Sequence, residues 1–397
     1  CLSSIDKKVR LRDIDIVKKE LQFFLDHGVK QVKFVDRTFN CDHAHAMEIW
    51  RYIKENDNGV TNFHFEISAD ILREDEIALL NTLRPGLAQL EIGVQSVNPE
   101  TLSAINRRMD VNRLEQIVEA LRRRNNLHLH LDLIAGLPYE DYDSFVISFD
   151  RVYAMKPEQL QLGFLKVLKG SPMAEKAVVY GINHLDKPPY EVLFTNWISY
   201  EDIIRLKRIE EMVELYYNSN QFTHTLAVLV KQFDSPFLMY EALAAFYERE
   251  GYFVESPSRA YRYQVLLQFA KEYDKTKEAL YKELLLYDMY LRENLKSRPE
   301  FAEAFDEQDV CKAYIREFYR QEEQNRVYLP EYSSYDKKQL SKMTHLEPFR
   351  YPVWKIGEDM SSGEIGYVLF DYQVRNPLTY EARVEVICPG KEKWEKL

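Results

Sequence analysis

Cysteine is scarce in this sequence. The chain of 397 residues holds four cysteines, at positions 1, 41, 311 and 388, and no two of them form a CxxC pair. A small secreted protein stapled by disulfides would use more. The sequence therefore predicts a reducing, cytoplasmic location, and its own cysteines form no cluster for a metal.

Long apolar runs and an excess of basic residues are also lacking. No apolar stretch approaches the roughly 18 residues of a membrane helix, and no signal-peptide pattern is present. The formal net charge is -11, whereas a nucleic-acid surface needs clustered Lys and Arg. We therefore expect neither a membrane nor a nucleic acid as partner.

What the sequence does contain is a regular alternation of strands and helices over residues 1–175. Helical patterns separate five short apolar segments, predicted as strands at 29–36, 62–68, 87–96, 127–136 and 159–167. Strands joined by helical crossovers form a parallel sheet, so the class is α/β, either doubly wound or a barrel. The series begins with an amphipathic helix at 13–28. Its partner strand would precede Cys1, unless this helix is an addition to a complete sheet.

The texture of the sequence changes twice after residue 175. Residues 176–198, with Pro188 and Pro189, are predicted to be a linker. A helical domain is predicted over 199–323. Residues 324–397 are predicted to be a small α+β segment that contains a β-hairpin. With 46% hydrophobic residues, the chain can build more than one core.

Polar residues stand on or at the ends of strands that a parallel sheet would bury. They are Asp36, Glu66, Glu91, Gln95 and Asp132. Buried charge is costly, and ligands of parallel α/β folds bind at the carboxyl edge of the sheet. These residues therefore predict a ligand site at that edge.

Two loops that follow strands fit such a site. Gly136 in "GLPYE" allows close approach of backbone to a ligand, and Pro138 stiffens the turn. The segment "LKGSPM" (168–173) follows the last strand in the same way.

Together these segments resemble the radical SAM superfamily, in particular the subgroup with anaerobic porphyrin-pathway and cobalamin-dependent enzymes. The matching segments are "CLSS", "FVDRTFN" (34–40), "FHFEIS" (63–68), "IGVQS" with "INR", and "DLIAGLP". The resemblance implies a partial (β/α)6 TIM-like barrel, here lacking its first strand, followed by a helical region and an α+β tail. It also implies reductive cleavage of S-adenosylmethionine (SAM) at a [4Fe-4S] cluster, which gives a 5′-deoxyadenosyl radical that acts on a small molecule.

The resemblance makes Cys1 the third cysteine of the cluster motif CxxxCxxC. The other two cysteines would precede it, so the chain as given is expected to be an inactive fragment of an active enzyme. The implied electron donor is a flavodoxin or ferredoxin. Members with this arrangement often carry a cobalamin-binding domain upstream, of which these residues show nothing.

The resemblance also implies a role for five residues in binding SAM. Glu66 would contact the methionine part, and Gln95 would contact SAM beside Arg107, which would lie near the carboxylate. Asp132 would bind the ribose, and Gly136 would shape the adenine side. Acids suit the amine and ribose of SAM, and a guanidinium suits its carboxylate. Glu91 and Asp36 are second choices for this site.

Other interpretations remain open from the residues. Cys1 could be a lipid-modified terminus or an N-terminal nucleophile. His128, His130 and Asp132 lie on one face of a strand and could be metal ligands of a TIM-barrel hydrolase. A non-catalytic module that binds SAM or another ligand is a third possibility. The sequence gives neither the substrate nor the outcome of the reaction, whether oxidation, cyclisation or methyl transfer.

Overall fold

The structure is a computed structural model that describes residues 9–295, 297–303, 306–355 and 360–390. Cys1, the predicted cluster ligand, lies outside the described residues. The chain divides into two compact units, residues 1–218 and 219–397. This division places the first helix after the predicted linker in the first unit. The domain limits inferred from the sequence stay a prediction.

The first unit contains a five-stranded sheet and the helices between its strands. The strands of this sheet are β1 (Gln31–Lys33), β2 (Asn62–Ile67), β3 (Ala88–Gln95), β4 (His128–Ala135) and β5 (Gln159–Phe164). A separate two-stranded sheet contains β6 (Asn183–His184) and β7 (Val192–Phe194). Its α-helices are α1 (Ile14–Asp26), α2 (His43–Glu55), α3 (Glu74–Leu80), α4 (Pro99–Ala104), α5 (Val111–Arg122), α6 (Tyr142–Ala154), α7 (Pro172–Glu175) and α8 (Tyr200–Met212).

Strands β1 to β5 lie in the sheet in chain order, and all four pairings are parallel. Each crossover returns to the next neighbour, which is the arrangement of a barrel and not of a doubly wound sheet. The predicted α/β class and the partial TIM-like barrel are confirmed. β1 is shorter than its predicted range, and the missing first strand stays a prediction.

The two faces of this sheet differ completely. The outer face carries apolar side chains such as Phe65, Leu90 and Leu131, which are fully buried. Helices cover this face, and Trp50 of α2 packs edge-on against Phe65. The inner face carries polar side chains on every strand. A parallel sheet is usually apolar on both faces, so the polar face indicates a binding function.

Helix caps formed by local side chains fix the chain direction at helix starts. Asn98 accepts backbone hydrogen bonds from Glu100 and Thr101 at the start of α4, with Pro99 in its first turn. Ser199 and Asp202 form the capping box of α8. Each cap satisfies amides that a helix start leaves unpaired, so the direction of the chain leaving each strand is set locally.

The second unit is helical and ends in a three-stranded antiparallel sheet. Its elements are α9 (Thr223–Leu229), α10 (Pro236–Arg249), α11 (Tyr261–Tyr273), α12 (Glu278–Arg292), α13 (Gln308–Asn325), α14 (Lys337–Met343), β8 (Thr344–Phe349), β9 (Gly366–Arg375) and β10 (Ala382–Ile387). The predicted hairpin is present as β9 and β10. The pattern missed β8, in which Glu347 and Pro348 break the apolar alternation.

Helix length and polarity also bear on membranes. In the part of the chain that the structure describes, every helix is too short or too polar to cross a bilayer.

Candidate functional site

The inner face of the sheet forms tiers of polar residues, one residue from each strand. Glu66, Glu91 and His130 are neighbours in one tier. In the next tier Gly93 lies beside Asp132. The predicted placement of His128, His130 and Asp132 on one face of β4 is confirmed, and the polar alternation extends to β2 and β5, which carry His64, Gln159 and Gln161 on the same face.

Glu91 is held by two basic side chains. Its Oε2 lies 2.8 Å from His64 Nε2 and 3.2 Å from Lys33 Nζ. The contact with His64, followed by that with Lys33, lowers the pKa of Glu91 to about 2 despite partial burial. The carboxylate is therefore already paired within the sheet, which makes Glu91 a wall of the site rather than a free ligand.

Glu66 differs from Glu91 although the two are neighbours in one tier. Burial, and then the charge of Glu91, raise the pKa of Glu66 above its usual range. A carboxylate in this environment gains from a cationic ligand, because a nearby positive charge offsets the cost of its ionisation.

His130 and Asp132 meet on β4. His130 Nε2 lies 3.0 Å from Asp132 Oδ1, which is close enough for an ion pair. The angle between the two groups does not allow a hydrogen bond. Both atoms are buried and lack an aligned partner among the described residues. Unsatisfied buried polar atoms of this kind are uncommon in native proteins and often mark a place for a ligand.

A cavity of about 330 Å³ opens beside the carboxyl ends of β3, β4 and β5. Its size lies at the lower end of the roughly 300–1,000 Å³ range of ligand pockets. Its polar and apolar lining residues are Gln95, Ile105, Asn106, Arg107, Ile134, Leu137, Leu165, Lys166, Leu168, Ser171 and Met173. The cavity thus joins the turn after β3 with both loops that the sequence singled out after β4 and β5.

Gln95 and Arg107 are the two predicted site residues that line this cavity. Gln95 adopts φ 72°, an unusual conformation for a residue other than glycine, and its backbone lies at an irregularity in the pairing of β3 with β4. The guanidinium of Arg107 donates a hydrogen bond from Nη2 to the carbonyl oxygen of Gly93. Arg107 Nε is buried and unpartnered among the described residues, so the side chain keeps a donor for a ligand.

Gly93 keeps the space into which Gln95 folds. A Cβ at this position would overlap the side-chain nitrogen Nε2 of Gln95, and it would lie 4.0 Å from Asp132 Oδ2. Burial lowers the pKa of Arg107, while the charges of Asp70 and Asp132 oppose this. Asp132 is therefore electrostatically linked to Arg107, although it does not line the cavity.

Gly136 and Asp36 do not line this cavity. Gly136 has φ 84°, and a Cβ there would lie 2.6 Å from Val192 Cγ1. The close approach at Gly136 is thus made by a side chain of β7. Asp36 is exposed and lines a separate groove of about 350 Å³ near β1 and α1, so it does not join the other four acids and amides.

One buried acid of the "GLPYE" loop was missed. Glu140 is 1% exposed. Its Oε1 accepts hydrogen bonds from Ser96 Oγ at 2.6 Å and Ser148 Oγ at 2.8 Å. The sequence signal was the placement of an acid immediately before Asp141, the N-cap of α6. Because Asp141 by itself accounts for the N-cap of α6, the sequence gave no reason to expect Glu140 to be buried.

A metal centre built from this chain's side chains has no support in the described ranges. Within them, no three His, Cys, Asp or Glu residues are arranged to hold a metal ion. His128 Nδ1 and His130 Nδ1 are both buried and unpartnered there. Both side chains lie on the inner face of β4, and neither lines the cavity.

Comparisons with known proteins divide the chain in a similar way. Residues 1–152 match the model of the radical SAM superfamily. Residues 179–370 match a family described as Protein of unknown function (DUF4080).

Among curated relatives, oxygen-independent coproporphyrinogen III oxidase of Salmonella typhimurium is 33% identical over 160 residues. The match covers 38% of this chain and 34% of the relative. The Escherichia coli oxidase is 32% identical over 107 residues, which cover 25% of this chain and 23% of the relative. The chain thus spans about a third or less of the length of the curated relatives it matches.

Among solved structures, the radical S-adenosylmethionine methyltransferase TsrM from Kitasatospora setae is 19% identical. The match covers 45% of this chain and 38% of the methyltransferase chain, with a TM-score of 0.39. The family match and the curated relatives agree with the motifs read from the sequence. The first 152 residues of this chain therefore form a domain of the radical SAM superfamily.

Proposed function

We propose that the protein is a radical SAM enzyme that binds SAM at the carboxyl edge of its five-stranded sheet and acts on a small molecule. The observation that carries this proposal is the cavity that joins Gln95 and Arg107 to an apolar wall. Bound at a reduced [4Fe-4S] cluster, SAM would supply a 5′-deoxyadenosyl radical that abstracts a hydrogen atom.

The residues present fit the chemistry of SAM. Arg107 is half-buried and has a buried, unpartnered Nε, so it can bind the carboxylate of the methionine part. Ile134, Leu137 and Leu165 line the same cavity and offer an apolar surface to the adenine ring.

The acids of the inner face suit the remaining groups of SAM. Glu66 carries a pKa raised by burial and by Glu91, so a cationic α-amino group would stabilise its charged form. Asp132 presents a buried, unaligned Oδ1 and can accept a hydrogen bond from a ribose hydroxyl. These residues bind and orient the cofactor and keep water from it.

The cluster and the partners are proposed on the family resemblance. Cys1 would be one thiolate ligand of the cluster, and a flavodoxin or ferredoxin would supply the electron. Cobalamin remains a prediction from the resemblance, and a cytoplasmic location remains a prediction from the scarcity of cysteine. The substrate stays open within the class of small molecules.

The test has one readout that needs no turnover. Calorimetric titration of the full-length product of the gene, with its cluster assembled, measures the dissociation constant of SAM for the wild type, Arg107→Ala and Asp132→Ala. Because a hydrogen bond to a charged group contributes about 1.5–3 kcal/mol, each substitution should weaken binding by about tenfold to a hundredfold. Arg113→Ala, an exposed change on α5, is the matched control and should leave the constant unchanged.

A second measurement tests the activity. The full-length product of the gene, reconstituted anaerobically with iron and sulfide, should hold about four irons per chain if it carries one [4Fe-4S] cluster. It should also release 5′-deoxyadenosine from SAM. Uptake of no iron, or SAM affinity that is equal in all variants, would overturn the proposal.

A further inference from the structure

The buried acid of the "GLPYE" loop links two strand-to-helix connections. Glu140 follows β4, while Ser96 follows β3 and Ser148 lies on α6. Both serine hydroxyls donate to Glu140 Oε1. A single carboxylate oxygen thus connects the loop after β4 to the turn after β3 and to α6, and all three side chains are almost fully buried.

Each serine is engaged on both sides. Ser148 Oγ accepts a hydrogen bond from the backbone amide of Val97 at 3.1 Å, and Ser96 Oγ accepts one from the amide of Asn98 at 3.0 Å. Since a hydroxyl has one proton to donate, these acceptor roles leave that proton for Glu140. The carboxylate therefore fixes the direction of both hydroxyls and, through them, the backbone of residues 96–98.

Asn98 adds a second connection between the same two loops. Its Nδ2 donates to the carbonyl oxygen of Tyr139 and to Ser144 Oγ, both at 2.9 Å. Its Oδ1 caps α4. The turn after β3 is thus bound to the turn after β4 through its first residue, Ser96, and through its last residue, Asn98.

The segment held in this way carries the polar wall of the cavity. Gln95 immediately precedes Ser96, and Arg107 follows α4, which begins at the capped turn. Leu137, which also lines the cavity, lies three residues before Glu140. A shift of either turn would change the positions of the cavity-lining groups relative to each other.

We propose that Glu140 is a positioning residue that clamps the two turns through Ser96 and Ser148 and so aligns Gln95 and Arg107 for cofactor binding. This inference rests on the proposed function, since it concerns the same cavity. Glu140 itself does not line the cavity, and it acts through the two serines.

The clamp carries a titratable group. Burial raises the pKa of Glu140 to about 7, against the opposing effect of the two serine donors, and the neighbouring Asp141 adds to the increase. Asp141, on the same turn, is the charged group that acts on Glu140 in the described part of the chain. The groups that face it from the turn after β3 and from α6 are the neutral Ser96 and Ser148.

Opening of the turns would expose the carboxyl group to water and return its pKa towards its ordinary value of about 4.3. A group with a higher pKa in the closed state favours closure at low pH. The clamp is therefore fully effective below about pH 4 and weakens as pH rises through about 7. Residues 95–107 should open more readily at pH 8 than at pH 6, beyond the intrinsic effect of pH on exchange.

The experiment measures hydrogen exchange of peptides that cover residues 95–107 in the intact chain, together with SAM titration of the same proteins. Glu140→Ala and Ser148→Ala should increase exchange in this segment and weaken SAM binding by about tenfold. Glu140→Gln keeps a carbonyl acceptor and no titratable group, so it should stay protected and show the same protection at pH 6 and 8. Glu119→Ala, an exposed change on α5, is the control.

The outcomes separate the clamp from the cofactor. If exchange increases in Glu140→Ala while even the wild type fails to bind SAM, the proposed function fails and the clamp of the turns stands. If exchange is unchanged in both Glu140→Ala and Ser148→Ala, the clamp is overturned. If exchange increases but SAM affinity does not change, Glu140 has no positioning role. Should Glu140→Ala not fold, Glu140→Gln and Ser148→Ala decide the question.

Discussion

The imidazole of His130 lies against the carboxylate of Asp132, with Nε2 3.0 Å from Oδ1. Both are on the inner face of β4, and His130 is 5% exposed. Burial acts to lower the pKa of His130, but the contact and charge of Asp132, with a further contribution from Glu91, outweigh it, so the pKa is raised. The charge of the histidine therefore depends on an acid that we assign to SAM.

Asp132→Asn should lower the pKa of His130, because the substitution removes the strongest stabilisation of the imidazolium and leaves burial largely unopposed. The measurement is an NMR titration of the His130 ring signals. Asp143→Asn, an exposed change on α6, should leave the titration in place. An unchanged midpoint in Asp132→Asn would show that the two groups are not coupled.

Gly93→Ala should weaken SAM binding with little loss of stability. The new Cβ would overlap the end of the Gln95 side chain, which can swing away but then leaves the cavity wall. Gly163→Ala is the matched control on the same face, because its Cβ would make ordinary contacts at 3.5 Å and 3.8 Å. SAM titration and urea unfolding of both variants test this. Equal SAM affinity in Gly93→Ala and Gly163→Ala would show that Gln95 does not contribute to SAM binding.

His128 should contribute to loss of stability in acid. Burial, with the charges of His130 and His64, lowers the pKa of His128 to about 4. A depressed pKa stabilises the fold above the unfolded value of about 6.5, and this contribution is lost as pH falls to about 4. After allowance for partial exposure, the contribution is about 2 kcal/mol.

The check is the free energy of unfolding at pH 7 and pH 4. His128→Gln should lose less stability over this range than the wild type, because it removes a group that must take up a proton on unfolding. His27→Gln, at an exposed position at the end of α1, should follow the wild type. Parallel curves for His128→Gln and the wild type would contradict the assignment.

In the second unit, Asp288→Ala should destabilise the protein by about 2–4 kcal/mol. Asp288 is 1% exposed and accepts hydrogen bonds from the amides of His224 and Thr225 at 3.0 Å and 2.9 Å. It also accepts one from Thr225 Oγ1 at 2.7 Å. The substitution leaves these donors, at the start of α9, buried without a partner.

The midpoint of thermal or urea unfolding measures this loss. Asp309→Ala, in the exposed first turn of α13, gives the expected change for an acid without buried partners. A similar small change in both variants would mean that water replaces Asp288 at the start of α9.

Local patterns predicted much of the first unit. The apolar segments and the helical intervals between them gave the five strands of the parallel sheet, since each signal acts within a few residues. The period of two placed His130 and Asp132 on one face. The length of β1 was overestimated, because an apolar run alone does not show where pairing with a neighbour stops.

The site was predicted only in part, because its members come from different strands. The motifs named Gln95 and Arg107, and these two meet at one cavity. They did not show that Glu91 is paired with His64 and Lys33. Such pairings depend on register between strands, which no single segment contains.

The sequence by itself determined the α/β class and the family of the first 152 residues, because propensity and motif order are properties of short segments. Only the tertiary structure decided which polar residues stay free for a ligand. Glu140 shows the reason: its partners Ser96 and Ser148 lie 44 and 8 residues away. Burial and hydrogen bonding at that distance arise when the strands assemble, and they set the charge and position of the groups around the cavity.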